Sequence, residues 1–197
     1  MSVSAQEVKE LRDKTGAGFM ECKAALTETH GDIERAIDLL RKKGLSSAAK
    51  KAGRETREGI IGSYIHVGGK VGVLVEVNCE SDFVARTEDF QELVKDLTMQ
   101  IAAADPRFIR REDVTPEVLD REREIYMEQA KSTGKPQQVL EKIVDGKIEK
   151  YYAEVCLMEQ PFIKDPKVTI HELISAKVAK VGENIRVNRF ARFKIGE

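Results

Sequence analysis

Val71-Gly72-Val73-Leu74-Val75-Glu76-Val77 runs straight into Asn78-Cys79-Glu80-Ser81-Asp82-Phe83-Val84-Ala85-Arg86, so one short stretch carries a change of secondary structure. Val71, Val73, Val75 and Val77 recur at every second position, the period of a strand. Upstream, Ile61, Ser63, Ile65 and Val67 alternate in the same way, and Gly68-Gly69 between the two runs supplies a two-residue hairpin turn. Downstream, Asp82 suits the N-cap of a helix, because its carboxylate accepts unpaired backbone N–H groups. That helix carries Phe90, Leu93, Val94, Leu97 and Ile101 on one face, and Pro106 stops it. A helix laid on a hairpin is an α+β unit. At its corner stand an acid and a bulky ring, Asp82-Phe83. A helix cap and a core anchor are the usual explanation of such a pair; a charged tip beside an apolar wedge is the functional one.

The preceding residues read as three short helices ending near residue 45. Ser4 with Glu7 forms a capping-box pattern ahead of Val8 and Leu11. Thr15-Gly16-Ala17-Gly18 breaks the first helix, and Phe19-Met20 leads into a second with Cys22, Ala25 and Leu26. Asp32 caps a third, where Ile33, Ala36, Ile37 and Leu40 recur at helical spacing, and Gly44 is a helix stop. The unit resembles a ubiquitin-associated-type module whose Gly-Phe-Met corner is an apolar binding loop. So small a core is marginal alone. Residues 46–58 form a basic linker, partly helical.

After the first core segment, 59–115, residues 116–158 form a helical-hairpin, coiled-coil-like arm broken at Gly134-Lys135-Pro136. Its second limb carries Val139, Leu140, Ile143, Val144, Ile148, Tyr151, Tyr152 and Val155. Gln160-Pro161-Phe162 returns the chain to the core, 159–197. There Thr169 with Glu172 repeats the capping box before a helix with Ile170, Ile174, Val178 and Val181, stopped at Gly182. The last element sets Ile185, Val187, Ala191, Phe193 and Ile195 against Arg186, Asn188, Arg192 and Lys194. It is a strand with one buried face, able to pair with a second chain if it lies at an edge.

Composition narrows the function. Charged residues make 34% of the 197, pointing to small modules with much surface. No apolar run approaches the roughly 20 residues of a membrane helix, and the N-terminus lacks a signal-peptide pattern. Cys22, Cys79 and Cys156 are odd in number and far apart, which fits a reducing cytosol and disfavours disulfides or zinc. A net charge of −1 disfavours a dedicated nucleic-acid binder. Charge is uneven, however: residues 41–58 hold seven basic residues and two acids. That stretch is either a solvated helix end, favoured by the helix dipole, or a surface for RNA or an acidic partner.

Catalytic signatures are missing. Gly16-Ala17-Gly18 has Glu21 where a dinucleotide fingerprint needs glycine, and Gly68-Gly69-Lys70 lacks the spacing of a P-loop, so no nucleotide binding by the chain itself is expected. His30, His66 and His171 show no metal-ligand spacing. Cys79 and His66 could approach across the hairpin, but nothing supplies an orienting third group, and a small buried cysteine is the plainer explanation.

Three blocks in order carry a resemblance. Leu11-Arg12-x-x-Thr15-Gly16-Ala17-Gly18-Phe19-Met20-x-Cys22-Lys23-x-Ala25-Leu26 is similar to the first signature of the bacterial elongation factor Ts family. Glu76–Arg86 is similar to its second, with Ser81 where the family has Thr. Gly134-Lys135-Pro136, Glu141-Lys142, Gly146, Lys150, Glu154-Val155 and Gln160-Pro161-Phe162 follow its helical-hairpin pattern. The resemblance implies a cytoplasmic, non-enzymatic guanine nucleotide exchange factor for elongation factor Tu, without cofactor, metal, membrane or nucleic-acid partner. It implies contact with the GDP-bound or nucleotide-free GTPase through Thr15, Gly16, Gly18, Phe19 and Met20. Ser81, Asp82, Phe83 and Val84 would meet the nucleotide side, Phe83 wedging between helices and Asp82 disturbing the Mg²⁺ site. Longer members carry two core sheet units; this chain resembles the short form, in which two chains can pair. A homodimer follows as an expectation, with Arg186, Asn188, Phe190 and Arg192 as its candidate strand. The alternative is an RNA- or protein-binding module using residues 41–58.

Overall fold

The structure is a computed structural model that describes residues 3–132 and 134–197. In chain order, α1 (Ala5–Thr15), α2 (Phe19–Glu28) and α3 (Ile33–Lys51) precede a hairpin of β1 (Glu58–Ile65) and β2 (Val71–Cys79). Then come a single turn of helix, α4 (Asp82–Ala85), and the longer α5 (Glu88–Ala104). The arm is α6 (Pro116–Lys131) with α7 (Gln137–Val155). A small hairpin, β3 (Pro161–Phe162) with β4 (Asp165–Thr169), leads into α8 (Ile170–Val181) and β5 (Ile185–Lys194). The class is α+β, with an N-terminal three-helix module of the ubiquitin-associated kind.

Local rules build the N-terminal module. Ser4 Oγ accepts from Glu7 N–H at 3.2 Å, while the Glu7 carboxylate accepts from Ser4 N–H at 2.7 Å, completing the capping box. Gly16, at φ +66°, closes α1 in the left-handed region that glycine tolerates. Asp32 caps α3 by accepting from Arg35 N–H at 3.0 Å. Val8, Leu11, Cys22, Ala25, Leu26 and Ala36 are buried together.

Gly44 does not end α3. It is buried where α3 crosses α8, and a Cβ there would stand 3.8 Å from Ser175 O. The helix runs on to Lys51, and Ala48 packs against the main core. Tertiary packing thus extends the helix through a residue of poor helix propensity. The first half of the expected linker is helix, and Arg41 ties it down by donating to Glu172 and to Lys167 O, both at 2.5 Å.

The main sheet runs antiparallel in the order β1-β2-β5, with α5 and α8 on one face. Val73, Val75, Val77, Ile185 and Val187 face Phe90, Leu93, Val94, Leu97 and Ile101 of α5 and Ile170, Ile174 and Val178 of α8. Each large side chain so buried contributes about 1.5–3 kcal/mol over exposure. The helical periodicity predicted after Asp82 is present but divided: α4 ends at Ala85, and Thr87 caps α5 by accepting from Phe90 N–H at 3.3 Å.

The helices and a bulge decide which way two strands face, and for β5 this corrects the single buried face expected from alternation. In β1, Ile61, Ser63 and Ile65 face away from the helices, as does Val67 beyond it, because α5 sits over Gly62 on the opposite side. Val94 Cγ1 comes within 2.4 Å of where a Gly62 Cβ would be, so only glycine leaves room for the helix. In β5, the pairing shifts between Glu76↔Arg189 and Val77↔Val187, which makes Asn188 a bulge. Beyond it the faces exchange: Phe190 and Arg192 turn toward the helices, while Phe193 and Ile195 are exposed. The hairpin turn is longer than two residues. Gly69 N–H donates to His66 O at 2.8 Å, centring it on Val67-Gly68.

In the arm, Ala130, Leu140, Val144 and Ile148 form the seam between α6 and α7, with Leu119, Tyr126 and Met127 packed on it. Arg111 fixes the base, bridging Glu149 (3.1 Å) and Glu159 (2.6 Å) with its guanidinium 4.4 Å above the Tyr152 ring. Buried Gln160 accepts from Gln100 Nε2 at 3.1 Å and donates to Glu154 O at 2.7 Å, joining arm and core.

Candidate partner-binding site

The corner after β2 divides its side chains by burial. Cys79 is fully buried and its thiol donates to Ser81 O at 3.1 Å. Ser81, not Asp82, is the N-cap of α4: its backbone is extended and its Oγ accepts from Val84 N–H at 3.4 Å. Both residue types cap helices well, and Ser81 is held in place by Glu183. Ser81 Oγ–H donates to Glu183 Oε1 at 2.6 Å, while Glu183 Oε2 accepts from Glu80 N–H (3.1 Å) and Ser81 N–H (3.0 Å). The hydroxyl that serine shares with threonine makes both side-chain bonds.

Val84 and Ala85 anchor α4 in the core. Asp82 and Phe83 point outward, so the cap-plus-anchor explanation of this pair fails. Phe83 is 79% exposed, forgoing the roughly 1.5–3 kcal/mol that burying its ring would give. Asp82 is half exposed and pairs with Arg86 at 2.8 Å, an exposed helical pair of small energetic worth. The tip is a bare aromatic ring beside a carboxylate, on a turn whose underside is packed and hydrogen-bonded.

A second exposed tip lies on the N-terminal module. Thr15 Oγ1 donates to Leu11 O (2.7 Å) and accepts from Ala17 N–H (3.3 Å), shaping the turn from Gly16 to Gly18. Gly18 N–H donates to the Glu21 carboxylate at 3.1 Å, starting α2. Phe19 and Met20 then emerge 47% and 69% exposed. Thr15, Gly16 and Gly18 form the scaffold; Phe19 and Met20 are the surface.

The thiol chemistry left open by the sequence is absent at this corner. Cys79 lies opposite Glu58, whereas His66 lies beyond the Ile65↔Gly72 pair at the other end of the hairpin. Seven residues of strand, about 23 Å at 3.3 Å each, separate the two ends. His66 instead meets Tyr64 OH at 3.0 Å. Burial, with the Glu183 charge adding to it, pushes the Cys79 thiol up to about 11, and burial does the same for Cys156. Thiols so raised are poor nucleophiles near neutrality. Among the described residues no group of three or more His, Cys, Asp or Glu could hold a metal, and no helix is long and apolar enough to cross a membrane.

The basic stretch is largely engaged within the chain. Arg41 pairs with Glu172, Lys43 with Glu28, Arg54 with Glu80 and Arg57 with Glu55. Of the candidate dimer residues, Arg186 and Asn188 are exposed, with Asn188 donating to Glu76 at 3.0 Å. Phe190 packs on the core, and Arg192, 10% exposed, is paired with Asp105 and Glu197. The apolar surface that the sequence did not single out is the outer sheet face: Ile61, Ile65, Leu74 and Phe193 are all exposed. Apolar residues on both faces of the strands were its signal.

Two exposed apolar tips, Phe19-Met20 and Phe83, thus stand on two separately packed bodies joined by α3. The particular family is plain from its relatives. The family model described as elongation factor TS matches residues 3–197. Elongation factor Ts of Koribacter versatilis is 63% identical over all 197 residues, covering 90% of that protein. Those of Geobacter sulfurreducens and Fervidobacterium nodosum are each 59% identical over the whole chain, covering 91% and 100% of theirs. The chain belongs to the elongation factor Ts family and hence to the elongation stage of protein biosynthesis.

Proposed function

We propose that the chain is a cytoplasmic, non-enzymatic guanine nucleotide exchange factor for elongation factor Tu. Phe19 and Met20 grip the GTPase, while Asp82 and Phe83 meet its nucleotide side. The observation that carries this is Phe83, exposed on a turn whose underside, Val84 and Ala85, is buried and whose start is hydrogen-bonded. A wedge must be bare before docking and stiff during it, and this corner is both. Magnesium bridges phosphate oxygens and neutralises their charge. A ring pressed between the GTPase's helices, with a carboxylate near that ion, therefore weakens the hold on GDP. Coupling is reciprocal, so bound nucleotide expels the factor in turn. The test is release of a fluorescent GDP analogue from purified elongation factor Tu: strong acceleration is expected, and none from the folded protein with a matched partner would refute the proposal.

The grip has its own signature. Met20→Ala removes an exposed interface side chain, a loss of about 1–2 kcal/mol in binding. It is expected to raise the factor concentration for half-maximal acceleration roughly 5- to 30-fold, with the maximal rate retained. An unchanged concentration dependence counts against the assignment.

A homodimer belongs to the same proposal, with its interface shifted from the β5 edge to the outer sheet face. Ile61, Ile65, Leu74, Phe193 and Ile195 form an exposed apolar layer on the side of the sheet opposite α5 and α8. A second copy supplies an identical layer, and a two-fold pairing of sheet on sheet buries both. Phe193→Asp, at a residue 67% exposed, should leave the fold intact and convert dimer to monomer in sedimentation. A wild-type monomer at micromolar concentration, or a mutant that remains dimeric, refutes the interface.

A further inference from the structure

We infer that Glu183 is a positioning residue for nucleotide exchange: its carboxylate sets the orientation in which the Asp82-Phe83 tip is offered. The inference rests on the wedge role proposed for Phe83 and adds a residue that lies outside every motif read from the sequence.

Glu183 follows Gly182, which ends α8 at φ +80° and turns the chain toward β5. From there its carboxylate reaches across about a hundred residues of sequence to the corner. One oxygen accepts the backbone N–H groups of Glu80 and Ser81, and the other accepts the Ser81 hydroxyl proton. A carboxylate only accepts, so the single Ser81 hydroxyl proton is committed to Glu183. A Ser81 Oγ lone pair is then left for Val84 N–H, which starts α4 and sets the direction in which Phe83 leaves it. Charge-assisted bonds of this kind are the stronger ones.

The adjacent residue completes the brace. Asn184 N–H donates to Glu80 Oε1 at 2.6 Å, and its side-chain amide donates to Arg54 O at 2.9 Å. The end of α8, the segment after α3 and the signature corner are thereby locked together. Phe83 itself makes none of these contacts: Glu183 acts on it through Ser81.

The test compares Glu183→Ala, Glu183→Gln, Phe83→Ala and the double variant E183A/F83A in GDP release from elongation factor Tu, with thermal melts and amide hydrogen exchange on the free proteins. Glutamine keeps an oxygen for both backbone N–H groups and can donate to Ser81 Oγ, so it preserves the geometry without the charge. Glu183→Ala is expected to lower the maximal rate about tenfold or more, with half-saturation within about twofold because the N-terminal grip is untouched. Glu183→Gln should restore most of that rate, and the Glu80 and Ser81 amides should lose protection in the alanine variant alone. The double variant should match Phe83→Ala. Wild-type maximal rates or amide protection in Glu183→Ala, failure of glutamine to rescue, or multiplying effects in the double variant would overturn the positioning role. If Phe83→Ala alone leaves the rate unchanged, the wedge fails first, and the inference falls with it.

Discussion

Phe83→Ala is expected to collapse the acceleration of GDP release while leaving the factor folded. The two halves of this result have separate physical bases. A side chain 79% exposed makes little contribution to the fold, so its truncation should move stability by no more than about 0.5 kcal/mol. An aromatic anchor inserted into a partner's pocket is worth about 2–4 kcal/mol on truncation. If that energy is realised as nucleotide leaves, the maximal rate falls roughly 30- to 900-fold. The discriminating measurement is the maximal rate against the half-saturating concentration. Loss of the maximal rate with binding retained through Phe19 and Met20 supports the wedge. Full acceleration by the mutant would keep exchange activity and remove Phe83 from its mechanism. A change only in concentration dependence would make Phe83 a binding contact.

What could be seen in the sequence was whatever nearest neighbours determine. The capping boxes Ser4/Glu7 and Thr169/Glu172 each join residues three positions apart, and both form as expected. The apolar face of α5 and the seam of the arm follow from helical period alone. The exposed tips are legible through motifs that resemble a family; composition alone reads Phe83 as core. What escaped depends on distant partners. Gly44 looks like a helix stop until α8 is laid across it. Asp82 looks like a cap until Glu183 takes the Ser81 hydroxyl. The bulge at Asn188 exchanges the faces of β5 with no local glycine to announce it, which is why Phe193 seemed buried and Phe190 available. The β3–β4 hairpin, with a two-residue first strand, is too short for any periodicity.

Gly59→Ala should be the most damaging small substitution outside the buried core, and its effect should reach the functional corner. Gly59 lies near the start of β1, opposite Asn78, with φ +143°, a backbone region that side chains rarely enter. A Cβ there would stand 2.2 Å from Val77 O and 2.7 Å from Asn78 Cα. Both obstacles are backbone, so no rotamer change relieves them. Backbone strain of about 1–3 kcal/mol and overpacking of similar size together give a loss of roughly 2–6 kcal/mol. For a chain of this length that lowers the melting temperature by roughly 5–20 °C. Gly72→Ala is the control, with both glycine variants compared in the monomeric Phe193→Asp background: its nearest obstacle is Ile65 Cδ1 at 3.0 Å, the free end of a side chain that is exposed in the monomer and can rotate away. That variant should melt within about 3 °C of its Phe193→Asp parent. The strand that must yield in Gly59→Ala is the one leading directly into Cys79, Glu80 and Ser81. The surviving folded fraction should therefore show faster exchange of the Glu80 and Ser81 amides than Gly72→Ala does. Equal melting temperatures for the two glycine variants would mean that β1 reseats on β2 at little cost, and that the close approach at Gly59 does not support the corner.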